Sequence, residues 1–261
     1  MKNIYLNTGA INEVFNDLQT SFNGVLNSDN NEFKLALDTD FIKGNIDAVT
    51  FINGITSIQV NMTFSDDVTL SMESLSKSSI LFAYCTEGYI KHSFGISGHQ
   101  SILRKHHSAV MTSSRSINTI LHFKKNTAIQ FSIIKVETGA LAHANNDSLI
   151  SNLRKTFLGK RPNYTYQGIQ NLRITEKFNH FNAITESGMV GHIMKKDLIQ
   201  YILAMEIDDN TNVLLKMSSI LRHSAQNKMN ELIKVSSLIK HYTFDAMYSK
   251  VINSKSRIFI K

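Results

Sequence analysis

Cysteine is almost absent from this chain of 261 residues, since Cys85 is the only one. A single thiol excludes an intrachain disulfide and a metal site built from several cysteines. Cys85 follows the apolar residues Leu81 to Tyr84. Reactive thiols need an electropositive and partly exposed environment, so we expect Cys85 to be a buried structural residue.

Long apolar runs are missing as well. No window of the sequence approaches the roughly 18 apolar residues that a membrane-spanning helix needs. The first residues, Met1 to Leu6, lack the basic stretch and apolar segment of a secretory signal. These features, together with the scarcity of cysteine, predict a soluble cytoplasmic protein that has no membrane partner.

Sequence motifs of common enzyme chemistries are also missing. The chain has no Gly-x-Ser-x-Gly elbow, no phosphate-binding loop that ends in Gly-Lys-Ser/Thr, and no Gly-x-Gly-x-x-Gly turn. Its ten histidines include His92 and His99, which are seven residues apart, and the adjacent His106 and His107. Neither pair presents two imidazoles to one ion at the spacing that metal ligands require. We therefore expect no enzyme, no metal site and no cofactor.

The chain is basic, with a formal net charge of +7. A basic balance favours a polyanionic partner such as DNA, because neutralising phosphates releases their counterions. The basic residues are scattered, however, and the densest group is Arg104 and Lys105, followed by two histidines. A solvated basic surface is the alternative explanation.

The first half of the chain shows two kinds of hydrophobic periodicity. Before a polar run over residues 27–31, apolar residues at helical spacing predict a short amphipathic helix: Ile11, Val14, Phe15, Leu18 and Phe22. From Glu32 to Val136 the period changes to two, which predicts strands at Phe33–Leu37, Ile58–Phe64, Ile80–Tyr84, Ile90–Phe94 and Ile129–Ile133. Short strands without long helices between them favour an antiparallel sandwich or barrel, each strand having one face inward and one in solvent.

After Gly139 the apolar spacing becomes helical. A first helix is expected to start at Asn146 or Asp147 and to end near Gly159 and the only proline, Pro162. Two more helices, joined by a turn near residues 187–188, form a predicted hairpin whose apolar positions are Ile174, Phe178 and Phe181, then Met194, Leu198, Tyr201, Ile202 and Met205. A polar break over residues 208–212 precedes further helical stretches.

The fold class predicted from these patterns is α+β. It comprises a β-rich region over residues 1–140, a helical hairpin over residues 141–210 and a C-terminal helical segment over residues 211–261.

Between Ser79 and Val136 the sequence has several short segments in a specific order, and two helical segments follow them. The stretches are Ile80-Leu81-Phe82 before Glu87-Gly88, then Ile90–Phe94, Gln100–Leu103, Ser108–Thr112 and Ala128–Ile133, and later Gln167-Gly168-Ile169. This order resembles the sensor and dimerisation region of AraC-type transcription regulators, in particular the branch of siderophore-responsive regulators. The resemblance covers roughly Glu32 to Asp208.

The resemblance implies a cupin-like β-barrel that binds a small-molecule effector, and helices that form a homodimer. Regulators of this type also carry two helix-turn-helix units, and the residues after Asn210 are too few for both. One partial unit fits Ile233 to Lys240 and a second helix after Asp245. Its basic residues would contact DNA phosphates: Lys250, Lys255, Arg257 and Lys261.

An effector pocket inside such a barrel should be mostly apolar, with a few polar anchors. By strand position, its candidate lining residues are Phe82, Tyr84, His92, Phe94, Met111, His122 and Phe131. The alternative is that these side chains fill the core of a small barrel.

Three functions follow from the sequence, in this order. The first is a transcription regulator of AraC-like type, or its retained effector-sensing and dimerisation part. The second is a stand-alone cupin-like interaction or assembly protein that does not bind DNA. The third is a cupin-type enzyme, which comes last because the metal ligands are missing.

Overall fold

We describe the protein from a computed structural model. The structure describes residues 2–6, 9–29, 31–51, 54–73, 79–112, 118–138, 148–158, 164–168, 170–186 and 188–211. The chain divides into two units, Met1–Asp208 and Asp209–Lys261. The architecture below is that of the first unit.

Within the described residues, thirteen strands form two open sheets. In chain order the strands are β1 (Lys2–Leu6), β2 (Val25–Asp29), β3 (Glu32–Asp38), β4 (Ile42–Thr50), β5 (Ile55–Phe64), β6 (Val68–Met72), β7 (Ser79–Glu87), β8 (Tyr89–Phe94), β9 (Ser101–Arg104), β10 (Ser108–Thr112), β11 (Thr119–Phe123), β12 (Ile129–Glu137) and β13 (Tyr164–Gln167). The small sheet has the order β1-β6-β11-β8-β9, and the large sheet has the order β13-β10-β7-β12-β5-β4-β3-β2. All pairings are antiparallel except that of β1 with β6. The prediction of an antiparallel β-rich region is confirmed, as a sandwich and not a closed barrel.

The inner face of each sheet contributes to a shared apolar core. Leu35, Ile46 and Val60 of the large sheet are buried in one cluster with Leu70 and Leu121 of the small sheet. Helix α1 (Ile11–Phe22) adds Phe15, Leu18 and Phe22 to that cluster. The predicted N-terminal helix is therefore confirmed.

Helix α1 begins and ends at residues with specific roles. The Glu13 carboxylate accepts a hydrogen bond from the Ala10 backbone N–H at 3.1 Å, which satisfies one of the free donors at the start of the helix. At its other end Asn23 has a positive φ of 53°, the left-handed conformation that terminates helices and that asparagine tolerates.

Three helices follow β12, and β13 lies between the first two: α2 (Ser148–Phe157), α3 (Leu172–Asn182) and a helix over residues 188–211, here α4. They cover the outer face of the large sheet, where Phe82 packs against Phe157 at 5.3 Å between ring centroids and Tyr84 against Phe178 at 4.9 Å. The three helices predicted between Gly139 and residue 208 are confirmed. The predicted caps at Asn146 and Asp147, and the helical stretches predicted beyond residue 212, lie outside the described residues.

The helix layer changes the predicted exposure of strand β7. Its residues from Ser79 to Cys85 are all buried, because one face meets the small sheet and the other meets the helices. A strand covered on both faces has a continuous apolar sequence instead of an alternating one. The expectation that every strand has a solvent face is wrong for β7.

Two polar segments lie partly in regular structure. The run over residues 27–31 includes part of edge strand β2, whose side chains are mostly exposed, so polar residues there cost little burial energy. The supposed break over residues 208–212 is helical through residue 211, and α4 starts at residue 188, before Gly191. On α4 the fully buried positions are Ile199, Ile202 and Leu203, whereas Met194 and Tyr201 of the predicted stripe are exposed.

The predicted regions 1–140 and 141–210 contribute side chains to one core, in which Ile134 of β12 lies with Leu153 of α2 and Ile202 of α4. No described helix is long and apolar enough to cross a membrane. The expected DNA-contacting residues Lys250, Lys255, Arg257 and Lys261, and the segment 212–261 as a whole, lie outside the described residues.

Candidate ligand-binding site

The outer face of the large sheet has an apolar part and a polar part. The apolar part, which includes Ile80, Phe82, Val110 and Ile134, is buried under the helices. The polar part lies toward the β2 edge, on β3, β4, β5 and β12. There the outward positions carry charged, amide and hydroxyl side chains, so the sheet has a surface suited to a polar ligand.

Strand register aligns these polar residues in rows across the sheet. Lys34 pairs with Asp47, Asp47 with Gln59, and Gln59 with Ser132. Directly paired residues of neighbouring strands have their side chains on the same face, about 5 Å apart. Four strands thus contribute one continuous polar row.

A second row lies beside the first. Asn45 pairs with Asn61, and Asn61 with Gln130. Next to Gln130 the register between β12 and β7 shifts at a bulge, and Thr86 Oγ1 donates to the Gln130 carbonyl at 3.1 Å. Bulges are over-represented beside binding sites, where they redirect side chains.

Above these rows lies a cavity of about 370 Å³, which we call the sheet–helix cavity. Its floor is made of the two polar rows together with Glu32 and Ser57, and its walls are Phe181, Asn182 and Ile184 at the end of α3 and Lys195 of α4. Ligand pockets commonly have volumes of about 300–1,000 Å³, so this cavity is large enough for a small molecule.

Hydrogen bonds hold several floor residues in fixed orientations. Asn45 Nδ2 donates to Asp47 Oδ2 at 2.8 Å, and Gln59 Nε2 donates to Ser57 Oγ at 3.0 Å. Ser132 Oγ donates to Gln59 Oε1. Because both ends of the Gln59 amide are engaged, its orientation is set before any ligand arrives.

One ion pair joins the floor of the sheet–helix cavity to its helical wall. Lys195 Nζ of α4 lies 3.0 Å from Glu32 Oε1 of β3, and the two side chains are only 12% and 21% exposed. Asp47 lies nearby, and burial raises the pKa of its carboxyl, opposed by the hydrogen bond from Asn45 and the charges of Lys34 and Lys195. The cavity therefore contains carboxylates and ammonium groups that water solvates only in part.

The space between the two sheets is much smaller. It contains two apolar voids of about 30 and 70 Å³, both lined by Phe131; His92 and Met111 line the smaller one. The smaller void has room for about one water molecule and neither accommodates a typical small-molecule effector. Of the predicted pocket residues, the sandwich interior brings together these three.

His92 is nearly fully buried there, with 6% exposure. Its Nε2 has no hydrogen-bond partner among the described residues, while Nδ1 lies 3.5 Å from Ser101 Oγ. Burial, with a smaller effect from His122, lowers the pKa of His92 to about 4. The imidazole is neutral at physiological pH.

The other four predicted pocket residues do not line these voids. Phe82 and Tyr84 are on the outer face of the large sheet against α2 and α3, so they do not line the interior. Phe94 is half-buried and packs edge-on against His92 at 4.8 Å. His122 is half-buried in β11, where its Nδ1 lies 3.1 Å from Thr69 Oγ1.

The residues of the sheet–helix cavity are not among the predicted site residues. Polar residues at alternate positions of a strand are ordinarily solvent-facing, so Asp47 and Gln59 do not stand out in the sequence. A signal was nevertheless present, since Ser57-x-Gln59-x-Asn61 places three hydrogen-bonding side chains on one face of a strand. What the sequence could not provide was the helical wall above them.

No protein-family model and no curated protein sequence matches the chain. Among solved structures, the AraC-like transcriptional activator CuxR is similar with 8% sequence identity and a TM-score of 0.42, over 69% of this chain and 62% of that one. ToxT from Vibrio cholerae is similar with 14% identity and a TM-score of 0.36, over 57% and 54%. The Cupin_2 domain of an XRE family transcriptional regulator from Enterobacter cloacae is similar with 6% identity and a TM-score of 0.29, over 35% and 93%.

The chain thus spans less than two thirds of the CuxR and ToxT chains. CuxR is named AraC-like, which is the family that the sequence resembles, and none of the three proteins is named as a siderophore-responsive regulator.

Proposed function

We propose that this protein is a cytoplasmic transcription regulator of AraC-like type, or its retained effector-sensing and dimerisation part, and that it catalyses no reaction. The observation that carries the proposal is the sheet–helix cavity. It has the volume of a small-molecule site, and both α3 and α4 form its walls. A ligand there contacts a rigid sheet and two helices at once.

The Lys195–Glu32 ion pair gives such a ligand a way to act on α4. The pair joins β3 to the helix inside the cavity at 3.0 Å. A ligand shifts a conformational equilibrium only by its difference in affinity between two states. A ligand that contacts Lys195 or Glu32 supplies this difference, because it binds better when the helix is in one position than in another.

The exposed face of α4 supports the homodimer that we include in the proposal. Met189, Val190 and Ile193 are 80%, 61% and 51% exposed, and Met194 is 43% exposed. Contiguous apolar side chains on a surface helix are typical of an interaction site. We expect Ile193→Asp to convert a dimer to a monomer in sedimentation velocity, whereas Ile96→Asp, the same substitution at an exposed position between β8 and β9, leaves the dimer intact.

A DNA-binding assay tests the regulator directly. The full chain is titrated against genomic fragments at several salt concentrations, and a steep decrease in affinity with salt, together with preference for one fragment, supports regulation. Lys255→Gln with Arg257→Gln should lower the salt slope by roughly 2, while the control Lys124→Gln with Lys125→Gln leaves it unchanged.

The same exposed face of α4 favours a second candidate, a stand-alone cupin-like interaction protein without DNA binding. Absence of any retardation at low salt, with the dimer present, contradicts the regulator and supports this alternative.

A further inference from the structure

The charges around the sheet–helix cavity are of both signs and incompletely paired. Glu32 and Asp47 are acidic, and Lys34 and Lys195 are basic. Glu32 and Lys195 form an ion pair with each other. Neither Asp47 nor Lys34 forms an ion pair with any described residue. Among the described residues, the cavity therefore has one carboxylate and one ammonium group that take part in no ion pair.

Asp47 and Lys34 are neighbours on the floor. They are directly paired residues of β4 and β3, and Lys34 is exposed whereas Asp47 is half-buried. The Asp47 carboxylate accepts one hydrogen bond, from Asn45. Burial removes part of the solvation of this half-buried carboxylate, and the nearby charges of Lys34 and Lys195 offset that loss only in part, so the pKa of Asp47 is raised. A ligand ammonium group would restore that interaction.

The rest of the floor is neutral and rich in hydrogen-bonding groups. Asn45, Asn61 and Gln130 form the amide row next to the charged pair, and Ser57 and Ser132 add hydroxyls. The opposite wall is less polar, since Phe181 and Ile184 line it. The two sides of the cavity thus differ, with a charged and polar floor and a partly apolar wall.

We propose that the sheet–helix cavity binds a small zwitterion of the amino-acid class, with its ammonium group on Asp47, its carboxylate on Lys34 and an uncharged side chain toward Phe181 and Ile184. This assignment deepens the proposed function and rests on it, since it names the chemistry of the effector. A ligand with only a negative charge would pair with Lys34 and leave Asp47 without an ion pair. A ligand with only a positive charge would pair with Asp47 and leave Lys34 without one, and a neutral ligand would pair with neither. A charged side chain would bring an additional charge beside the Glu32–Lys195 pair.

Calorimetric titration of the full chain with the standard free amino acids tests the proposal. We expect at least one amino acid with an uncharged side chain to bind. Its N-acetyl derivative, which lacks the cation, and its amide, which lacks the anion, should each bind about ten- to hundredfold more weakly, because each loses a hydrogen bond between charged groups. These derivatives test both charges on the unmodified protein, so the result does not depend on how a variant folds.

Variants then assign the two contacts. Asp47→Asn and Lys34→Met should each weaken binding by about ten- to hundredfold. Asp38→Asn and Lys43→Met make the same charge changes on the same two strands outside the cavity and should leave binding unchanged. Circular dichroism checks that each variant is folded.

Absence of heat with every amino acid at millimolar concentration overturns the proposal, and so does binding of the N-acetyl or amide derivative as tight as that of the parent amino acid. Binding that is unaffected by Asp47→Asn and Lys34→Met in folded protein overturns it as well. DNA binding is measured separately. A chain that binds DNA and no amino acid retains the proposed function without this ligand, and a chain that binds an amino acid and no DNA retains the ligand without the regulatory role.

Discussion

Acidification should destabilise this protein mainly through His92. Its pKa is lowered from the ordinary value of 6.5 to about 4 in the folded state because the imidazole is buried between the sheets. Between these two pKa values the unfolded chain therefore binds a proton that the folded chain does not bind. The free energy of unfolding falls as pH decreases below about 6.5. The loss is complete below the folded pKa of about 4.

The magnitude follows from the size of the shift. A difference between 6.5 and about 4 corresponds to roughly 3 kcal/mol in the free energy of unfolding when fully developed, and to about 2 kcal/mol near pH 5. His122, whose pKa burial also lowers, adds a smaller effect of the same sign, since its side chain is only half-buried.

Urea unfolding followed by circular dichroism, at about pH 8 and about pH 5, measures this difference. In His92→Leu the roughly 2 kcal/mol decrease should largely disappear, because leucine fits the surrounding Ile90, Leu103 and Leu121 and does not titrate. His122→Gln is the control and should retain most of the decrease. If His92→Leu loses as much stability on acidification as the unmodified protein, His92 is not the group responsible.

Three further substitutions test the packing described above, each by urea unfolding. Phe178→Ala should lower the free energy of unfolding by about 3–5 kcal/mol, because it removes a fully buried ring that packs against Tyr84. Leu172→Ala, on the exposed side of α3, should lower it by less than about 1 kcal/mol. Equal losses in the two variants would contradict the placement of α3 on the sheet. Glu32→Gln should cost about 1 kcal/mol by leaving Lys195 without its partner, and no loss would indicate that the pair contributes nothing. Gly44→Ala should cost about 2 kcal/mol, since Gly44 has a φ of +134° and an added Cβ would meet the Asn61 carbonyl. At Gly188, where φ is +69° and no atom lies within 4 Å of the new Cβ, alanine should cost about 1 kcal/mol. A larger loss at Gly188 than at Gly44 would refute the strain argument.

Residues that repeat at regular spacing were predictable. Phe15, Leu18 and Phe22 identified α1, and Val60, Met62 and Phe64 identified β5, because an amphipathic element encodes its own buried face. Helix α3 was found for the same reason, from Ile174, Phe178 and Phe181. Strand β1 was missed, since it is short and depends on parallel pairing with β6, a partner more than sixty residues away.

The pocket residues show where such reasoning stops. Phe82 and His92 both lie on apolar strands, yet one faces the helices and the other the sandwich interior. Local periodicity separates the two faces of a strand but does not say which other layer covers each face. Because β7 is buried on both faces, the periodicity of its residues could not show which face lies toward the sandwich interior.

The sequence by itself determined that this chain has a β-rich first part and a helical second part, because the period of apolar residues follows backbone geometry. Only the tertiary structure decided that the helices cover the large sheet, that Lys34, Asp47, Gln59 and Ser132 align across four strands, and that Lys195 meets Glu32 at 3.0 Å. Strand register and layer packing depend on contacts between residues far apart in the chain, and no local pattern records them.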